Sequence, residues 1–257
     1  SEELSPFIAI EPMSQSWAMG ERTREAWNIM GYATKETPEL VPLVVARAQQ
    51  FAQIIENERL TNSDWFWLGS DYEVWVEQVK RLTVIVRVPH IETMTLLQVR
   101  EQLTTVLRPF LGDAILHVNL AGEEFQTGLG VRLGSSGRTS SLDGMGTLLP
   151  GNPSGVGKHV THPANAGAWC ARAIARELVK TTDSAAVQVR AYWHPFESRP
   201  AQVVIRNERG QDLSNKVDIR RFDLTLLPEL WKQPQNLTDI LRAPGVRDIT
   251  LPWERGM

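Results

Sequence analysis

One short run gathers the residues most able to do chemistry. Residues 151–162 read GNPSGVGKHVTH, with Gly155 and Gly157 leading into Lys158, His159 and His162. A glycine-rich turn ending in lysine is how backbone N–H groups close around phosphates, with the ammonium neutralising charge. The full pattern also needs a glycine where Asn152 stands and a Ser or Thr after the lysine. Gly151 is one residue too early, and His159 replaces the hydroxyl that would hold magnesium. Imidazole is a poor ligand for that hard cation. Pro163 falls where the following helix would already have committed its N–H groups. His159 and His162 have the spacing to share a metal on one helical turn, but His117, His194 and Cys170 lie at no spacing that completes a ligand set. The expectation is no metal and no cofactor. Gly155, Gly157, Lys158, His159 and His162 then read as a loop that contacts a partner.

The run PSGVGK resembles the phosphate-binding loop of nucleotide kinases of the guanylate kinase type. That resemblance implies a nucleoside phosphate ligand, and the departures at Asn152 and His159 argue against one. Other reaction signatures are missing. There is no GxSxG elbow for a serine hydrolase and no dinucleotide fingerprint running from strand into helix. Glu123 and Glu124 are adjacent, so on a strand they point to opposite faces and need not form an acid–base pair.

The elements that must position these residues follow from periodicity. The segment GERTREAWNIMGY predicts a short helix, and Thr37-Pro38-Glu39 reads as the start of a longer one. Leu40, Val44, Ala48, Phe51 and Ile55 form its apolar stripe. LTVIVRV at 82–88 alternates as a strand, with Val84, Val86 and Val88 inward and Arg87 outward. A helix is expected from Thr93 to Arg108, ended by Pro109, then strands at 114–120 and 125–133. Glycines 134, 137, 144, 146, 151, 155 and 157 mark 134–162 as one long loop, well beyond a usual connection of about four to six residues. A helix resumes near Pro163. A strand over 185–193 points Val187, Val189, Ala191 and Trp193 inward and Gln188, Arg190 and Tyr192 outward. QVVIRN and a segment near KVDIRRFDLTLL complete the strands.

The order β-α-β-β-α-β predicts an α+β fold of the ferredoxin-like, split βαβ kind, with an antiparallel sheet core. Three regions are expected. Residues 1–80 form a mainly helical, Trp-rich region; 81–227 form the core with its glycine-rich loop at 134–162; 228–257 form an extended, proline-containing tail. In that arrangement Arg87, His117, Asn119, Arg132 and Arg190 share an open sheet face suited to nucleic acid or a partner. At the level of fold alone it resembles the CRISPR-associated RNA-binding proteins.

Composition sets the class. The formal charge is −3 over 257 residues, which argues against a dedicated nucleic-acid protein. A single cysteine permits no internal disulfide, and the acidic start SEELSP is unlike a signal peptide. No apolar run is long enough for a membrane span. The expected location is therefore a cytoplasm, or a virion assembled in one. Nine Trp against three Tyr suggest interface anchors, with Trp65, Trp67 and Trp253 as candidates. The leading expectation is a non-enzymatic assembly subunit, a repeated part of a phage tail, neck, baseplate or related injection apparatus, whose partners are protein subunits. The alternatives are a single-stranded RNA or DNA binder and an enzyme of unassigned reaction.

Overall fold

The computed structural model describes residues 25–125, 161–226 and Glu254. Six strands lie in this part: β1 (Trp27–Thr34), β2 (Glu73–Gln78), β3 (Leu82–Arg87), β4 (Ile115–Val118), β5 (Ala186–Trp193) and β6 (Gln202–Asn207). Three α-helices accompany them: α1 (Leu43–Thr61), α2 (Leu96–Leu111) and α3 (Ala168–Thr181). The α+β class is as expected, but the ferredoxin-like single sheet is not. The strands form two three-stranded sheets, ordered β1-β5-β6 and β2-β3-β4.

The split has a clear cause. The segment expected as a short helix, around WNIMGYAT, is β1, and it pairs antiparallel with β5 from Trp27↔Trp193 to Thr34↔Ala186. β5 takes β6 on its other side, so all of its backbone pairing is used before β3 or β4 can reach it. β3 instead pairs antiparallel with β2 and parallel with β4, the two parallel strands being joined through α2. The described part of the first 80 residues, from residue 25 on, thus contains two strands as well as α1. The expected strand near KVDIRRFDLTLL is a series of short 3-10 turns. The expected strand at 125–133 lies outside the described residues beyond Phe125, as does the tail apart from Glu254.

Two separate cores match the two sheets. In the first, α3 lies across the inner face of β1-β5-β6, where Ile29, Val187, Val189, Trp193 and Ile205 have no exposed surface. The alanines of α3 let it sit low on the sheet. A Cβ on Gly31 of β1 would lie 2.2 Å from the backbone carbon of Ala171, so only glycine fits there. Trp193 lies over Gly167, where a Cβ would come within 3.0 Å of the indole. In the second core, Val84, Val86 and Val88 meet Val99, Leu103 and Leu107 of α2, together with Phe51 and Ile55 of α1. Trp65 and Trp67 fill the same core at 4% and 1% exposure, so neither presents a surface to a partner. Trp67 also donates from Nε1 to Gln102 Oε1 at 2.8 Å.

Helix ends differ from expectation in instructive ways. α1 begins at Leu43 and not at Thr37, because residues 37–41 form a turn in which Leu40 takes a positive φ of 62°. α2 begins with a capping box between Thr95 and Gln98, and it runs through Pro109 for two more residues. α3 is preceded by one π-helical turn, Pro163–Gly167.

Candidate functional site

The outer face of β1-β5-β6 is a lattice of nine side chains in three rows. Register sets them as Asn28–Tyr192–Gln202, Met30–Arg190–Val204 and Tyr32–Gln188–Arg206. The pattern comes from strand alternation: on β5 the partners Val187, Val189, Ala191 and Trp193 are buried, which turns Gln188, Arg190 and Tyr192 outward. A cavity of about 410 Å³ opens here, lined by Asn28, Gln188, Arg190, Tyr192, Gln202 and Arg206 among others. Gln188 Nε2 donates to Met30 Sδ at 3.2 Å, and the Tyr192 ring meets His194 edge-on at 5.3 Å. Burial, and then the charge of Glu36, holds the Tyr32 phenol above its ordinary range. Two guanidiniums, three carboxamides and two phenols make this a surface for oxygen-rich, anionic groups.

On the opposite side of the sheet a second polar cluster is fully enclosed. Arg172 and Arg176 project from α3 onto Glu254, with side chains of all three at most 6% exposed. Arg172 Nε and Nη2 donate to Glu254 Oε1 and Oε2 at 3.0 and 3.1 Å, and Arg176 Nη1 donates to Oε2 at 2.6 Å. The remaining donors reach backbone carbonyls. Arg172 Nη1 donates to Tyr32 O at 2.5 Å and to Leu40 O at 3.0 Å, and both arginines donate to Glu39 O. Arg176 Nη2 also donates to the Glu254 carbonyl. Burial pulls the Arg176 guanidinium below its ordinary range. The cluster ties together α3, the end of β1, the 37–41 turn and the segment carrying Glu254. Its donors are consumed by these contacts, apart from Arg176 Nε, which is buried without a partner. It is a structural clamp, one that sequence reading missed. Its signal was present: two arginines four apart among the alanines, Trp169, Cys170 and Ile174 of the first two turns of α3.

The residues expected to share one sheet face do not. Arg190 lies on the first sheet, Arg87 and His117 on the second, and Arg132 lies outside the described residues. Arg87 is engaged by Glu73 at 3.0 Å, Asp71 at 3.5 Å and Glu124 at 3.6 Å, and the hydrogen bond to Glu73 is the main cause that raises its pKa. Asn119 is buried, at a φ of 46°, and serves the backbone: its side chain accepts from Val88 N at 2.8 Å and donates to Val88 O at 2.9 Å. Of the loop residues, Gly155, Gly157, Lys158 and His159 lie outside the described residues, as does Trp253. His162 is the N-cap of the π turn. Its Nδ1 accepts from Ala164 N at 3.0 Å, and its ring meets Trp27 edge-on at 4.7 Å. Among the described residues no three His, Cys, Asp or Glu side chains gather as metal ligands, and no helix is long and apolar enough to cross a membrane.

Mixed α+β architecture built from small sheets, each backed by helices, is shared with one class of solved enzymes. The structure described as an unusual S-adenosylmethionine synthetase from Campylobacter jejuni superposes with a TM-score of 0.72. That likeness covers 91% of this chain and 69% of the other at 18% identity, and it shows the fold. Sequence comparison points the same way. The chain is 26% identical to S-adenosylmethionine synthase 1 of Pinus contorta over 254 residues, 88% of this chain. It is 29% identical to the S-adenosylmethionine synthase of Rhodopseudomonas palustris and 30% to that of a Bradyrhizobium species, each over 166 residues or 59% of this chain. The chain spans 64% of the length of the pine protein and about two fifths of the bacterial ones. No protein-family model matches it. These likenesses overturn the expectation of a non-enzymatic subunit of a phage tail, neck, baseplate or injection apparatus, and with it the virion: what the chain resembles, over most of its length, are enzymes.

Proposed function

We propose that this protein is an enzyme of the S-adenosylmethionine synthase type. The observation that carries the reading is the agreement of two comparisons across nearly the whole chain, 88% in sequence and 91% in structure. The reaction joins the thioether sulfur of methionine to the 5′ carbon of an adenosyl group. A sulfur lone pair forms the new S–C bond, the C–O bond to a phosphate leaving group breaks, and the phosphate departs with that electron pair. The product is a sulfonium cation. The contribution of the described residues is a stiff frame: α3 is wedged between β1-β5-β6 and the 37–41 turn, and the arginine clamp fixes its position. Such rigidity is what alignment of a nucleophile, a carbon and a leaving group requires.

The test is incubation of the full-length natural protein with methionine, ATP and magnesium, with S-adenosylmethionine measured by mass spectrometry and its binding by calorimetry. Formation of the sulfonium supports the reading. A folded protein that neither makes nor binds it sinks it.

A further inference from the structure

His90, just beyond the end of β3, is a titratable side chain with no exposed surface. On one side the chain around it pairs with the 65–69 turn. Leu68 forms a bridge with His90, Ile91 N donates to Trp67 O at 3.1 Å and Gly69 N donates to Pro89 O at 2.9 Å. On the other side lies the segment that follows β4. His90 N donates to Glu124 O at 2.8 Å, and Glu124 N donates back to His90 Nε2 at 3.4 Å. His90 Nδ1 lies 3.1 Å from Ile91 O, and the Phe125 ring meets the imidazole edge-on at 5.1 Å. The two ring nitrogens therefore have opposite duties. A carbonyl oxygen only accepts, so Nδ1 must carry a proton; a backbone N–H only donates, so Nε2 must carry none. One tautomer of the neutral imidazole satisfies both partners. An imidazolium, with a proton on each nitrogen, does not.

We propose that His90 is a proton-sensitive latch, which holds residues 120–125 against the end of β3 when neutral and releases them when protonated. A second ring proton on Nε2 faces the Glu124 N–H, donor against donor, and leaves a buried charge without an acceptor there. The 3.4 Å contact is the longest of the set and the one that protonation turns repulsive. The elements packed around the ring carry few charges. Arg87 ends β3, Glu92 follows it, Glu123 and Glu124 lie on the latched segment, and the 65–69 turn has none. Arg87 draws Asp71, Glu73 and Glu124 onto itself at 3.0–3.6 Å, and among the described residues no carboxylate pairs with His90. Up to Asn119 the chain is fixed by bonds that no histidine controls. Arg100 of α2 donates to Val118 O and Asn119 O at 3.0 Å, and the Asn119 side chain clasps the Val88 backbone. Beyond Asn119 the hydrogen bonds and ion pairs between the described segment and β3 or its extension converge on Glu124. Release is therefore local. Histidine ordinarily titrates between about pH 5 and 8. The closed form is the neutral one, so the latch is complete at the upper end of that range and is lost as pH falls through it. In sequence the segment leads to the glycine-rich stretch 134–162, so the latch sets the point from which the chain enters it. It operates whether or not the chain makes S-adenosylmethionine.

The experiment is amide hydrogen exchange of the full chain read by NMR at pH 7.5 and pH 5.5, corrected for the intrinsic pH dependence of exchange, together with the nitrogen shifts of the histidine rings. At pH 7.5 the His90 ring is expected to be neutral and protonated at Nδ1. Opening linked to one proton changes by up to about tenfold per pH unit, so protection of the His90 and Glu124 amides should fall by about tenfold or more at pH 5.5. The amides of Leu103 and Leu107 in α2 should keep theirs. His90→Gln supplies a neutral acceptor that does not titrate, and it should abolish the pH dependence at Glu124. Should that variant fail to fold, the wild-type measurements decide alone. Protection at His90 and Glu124 that does not change with pH overturns the proposal, as does a loss shared equally by α2. So does a ring that is cationic or protonated at Nε2 at pH 7.5, or a folded His90→Gln protein that retains the pH dependence.

Discussion

Glu254→Ala leaves two buried guanidiniums facing each other without an anion between them. The wild-type carboxylate accepts three charge-assisted hydrogen bonds at 2.6–3.1 Å from Arg172 and Arg176. Each such bond contributes about 1.5–3 kcal/mol, which sets an upper bound for the three of about 5–9 kcal/mol. The loss is smaller than this bound, because the carbonyls of Tyr32, Glu39 and Leu40 continue to accept from the same arginines. Breaking a buried pair by removing one partner costs about 3–5 kcal/mol, and that is the expected destabilisation here. In a chain of this size 1 kcal/mol moves the melting temperature by about 2–4 °C, so the midpoint should fall by about 6–20 °C. Differential scanning calorimetry of the full chain reads this directly. A second variant separates charge from packing: replacing Arg172, Arg176 and Glu254 together by apolar residues of similar volume should recover much of the loss. A drop of under about 2 °C for Glu254→Ala would refute the reasoning, since the carboxylate would then not be compensating the two arginines.

Two further outcomes follow from the packing of α3. Gly31→Ala places a methyl 2.2–2.5 Å from the backbone of Ala171 and Arg172, which no side-chain rotation can relieve. The strand must move off the helix, and destabilisation by about 1–3 kcal/mol or more is expected in chemical denaturation, whereas Ala at the open Gly210 turn meets no neighbour and is strained only by its φ of 76°. Cys170 is buried on α3, and burial pushes its thiol up from 9.0 to about 12. It should therefore resist alkylation at pH 8 until the chain unfolds, and labelling should track the unfolding curve. The same shift has a sign for stability: the folded state holds the proton more tightly, so this contribution is complete below pH 9 and is lost as pH rises from 9 towards about 12.

How the chain reads in one dimension and in three differs for definite reasons. Alternation alone identified β3 and β5, including which of their side chains face inward, because a half-buried strand must alternate. Periodicity placed α2 within three residues of its observed ends, and the apolar positions Val99 and Leu103 are buried as expected. Arg190 and Gln188 were legible as outward-facing, and they line the cavity. Pairing was not legible. Nothing local tells β5 to choose β1, which lies more than 150 residues earlier, over β3. That choice decides whether Arg87 and Arg190 share a face, and it separates them. WNIMGYAT read as helix because its neighbours to the left are charged helix formers; tertiary pairing overrides such weak local preference. The arginine clamp was invisible for the same reason, since Glu254 stands 78 residues from Arg176 and only the fold brings them to 2.6 Å. Residue type and alternation determined which side chains face solvent and which are buried on each strand. Only the tertiary structure decided which strands lie side by side, because backbone hydrogen bonds carry no sequence label and the winning partner is set by how α3, with its alanines against Gly31, packs over the completed sheet.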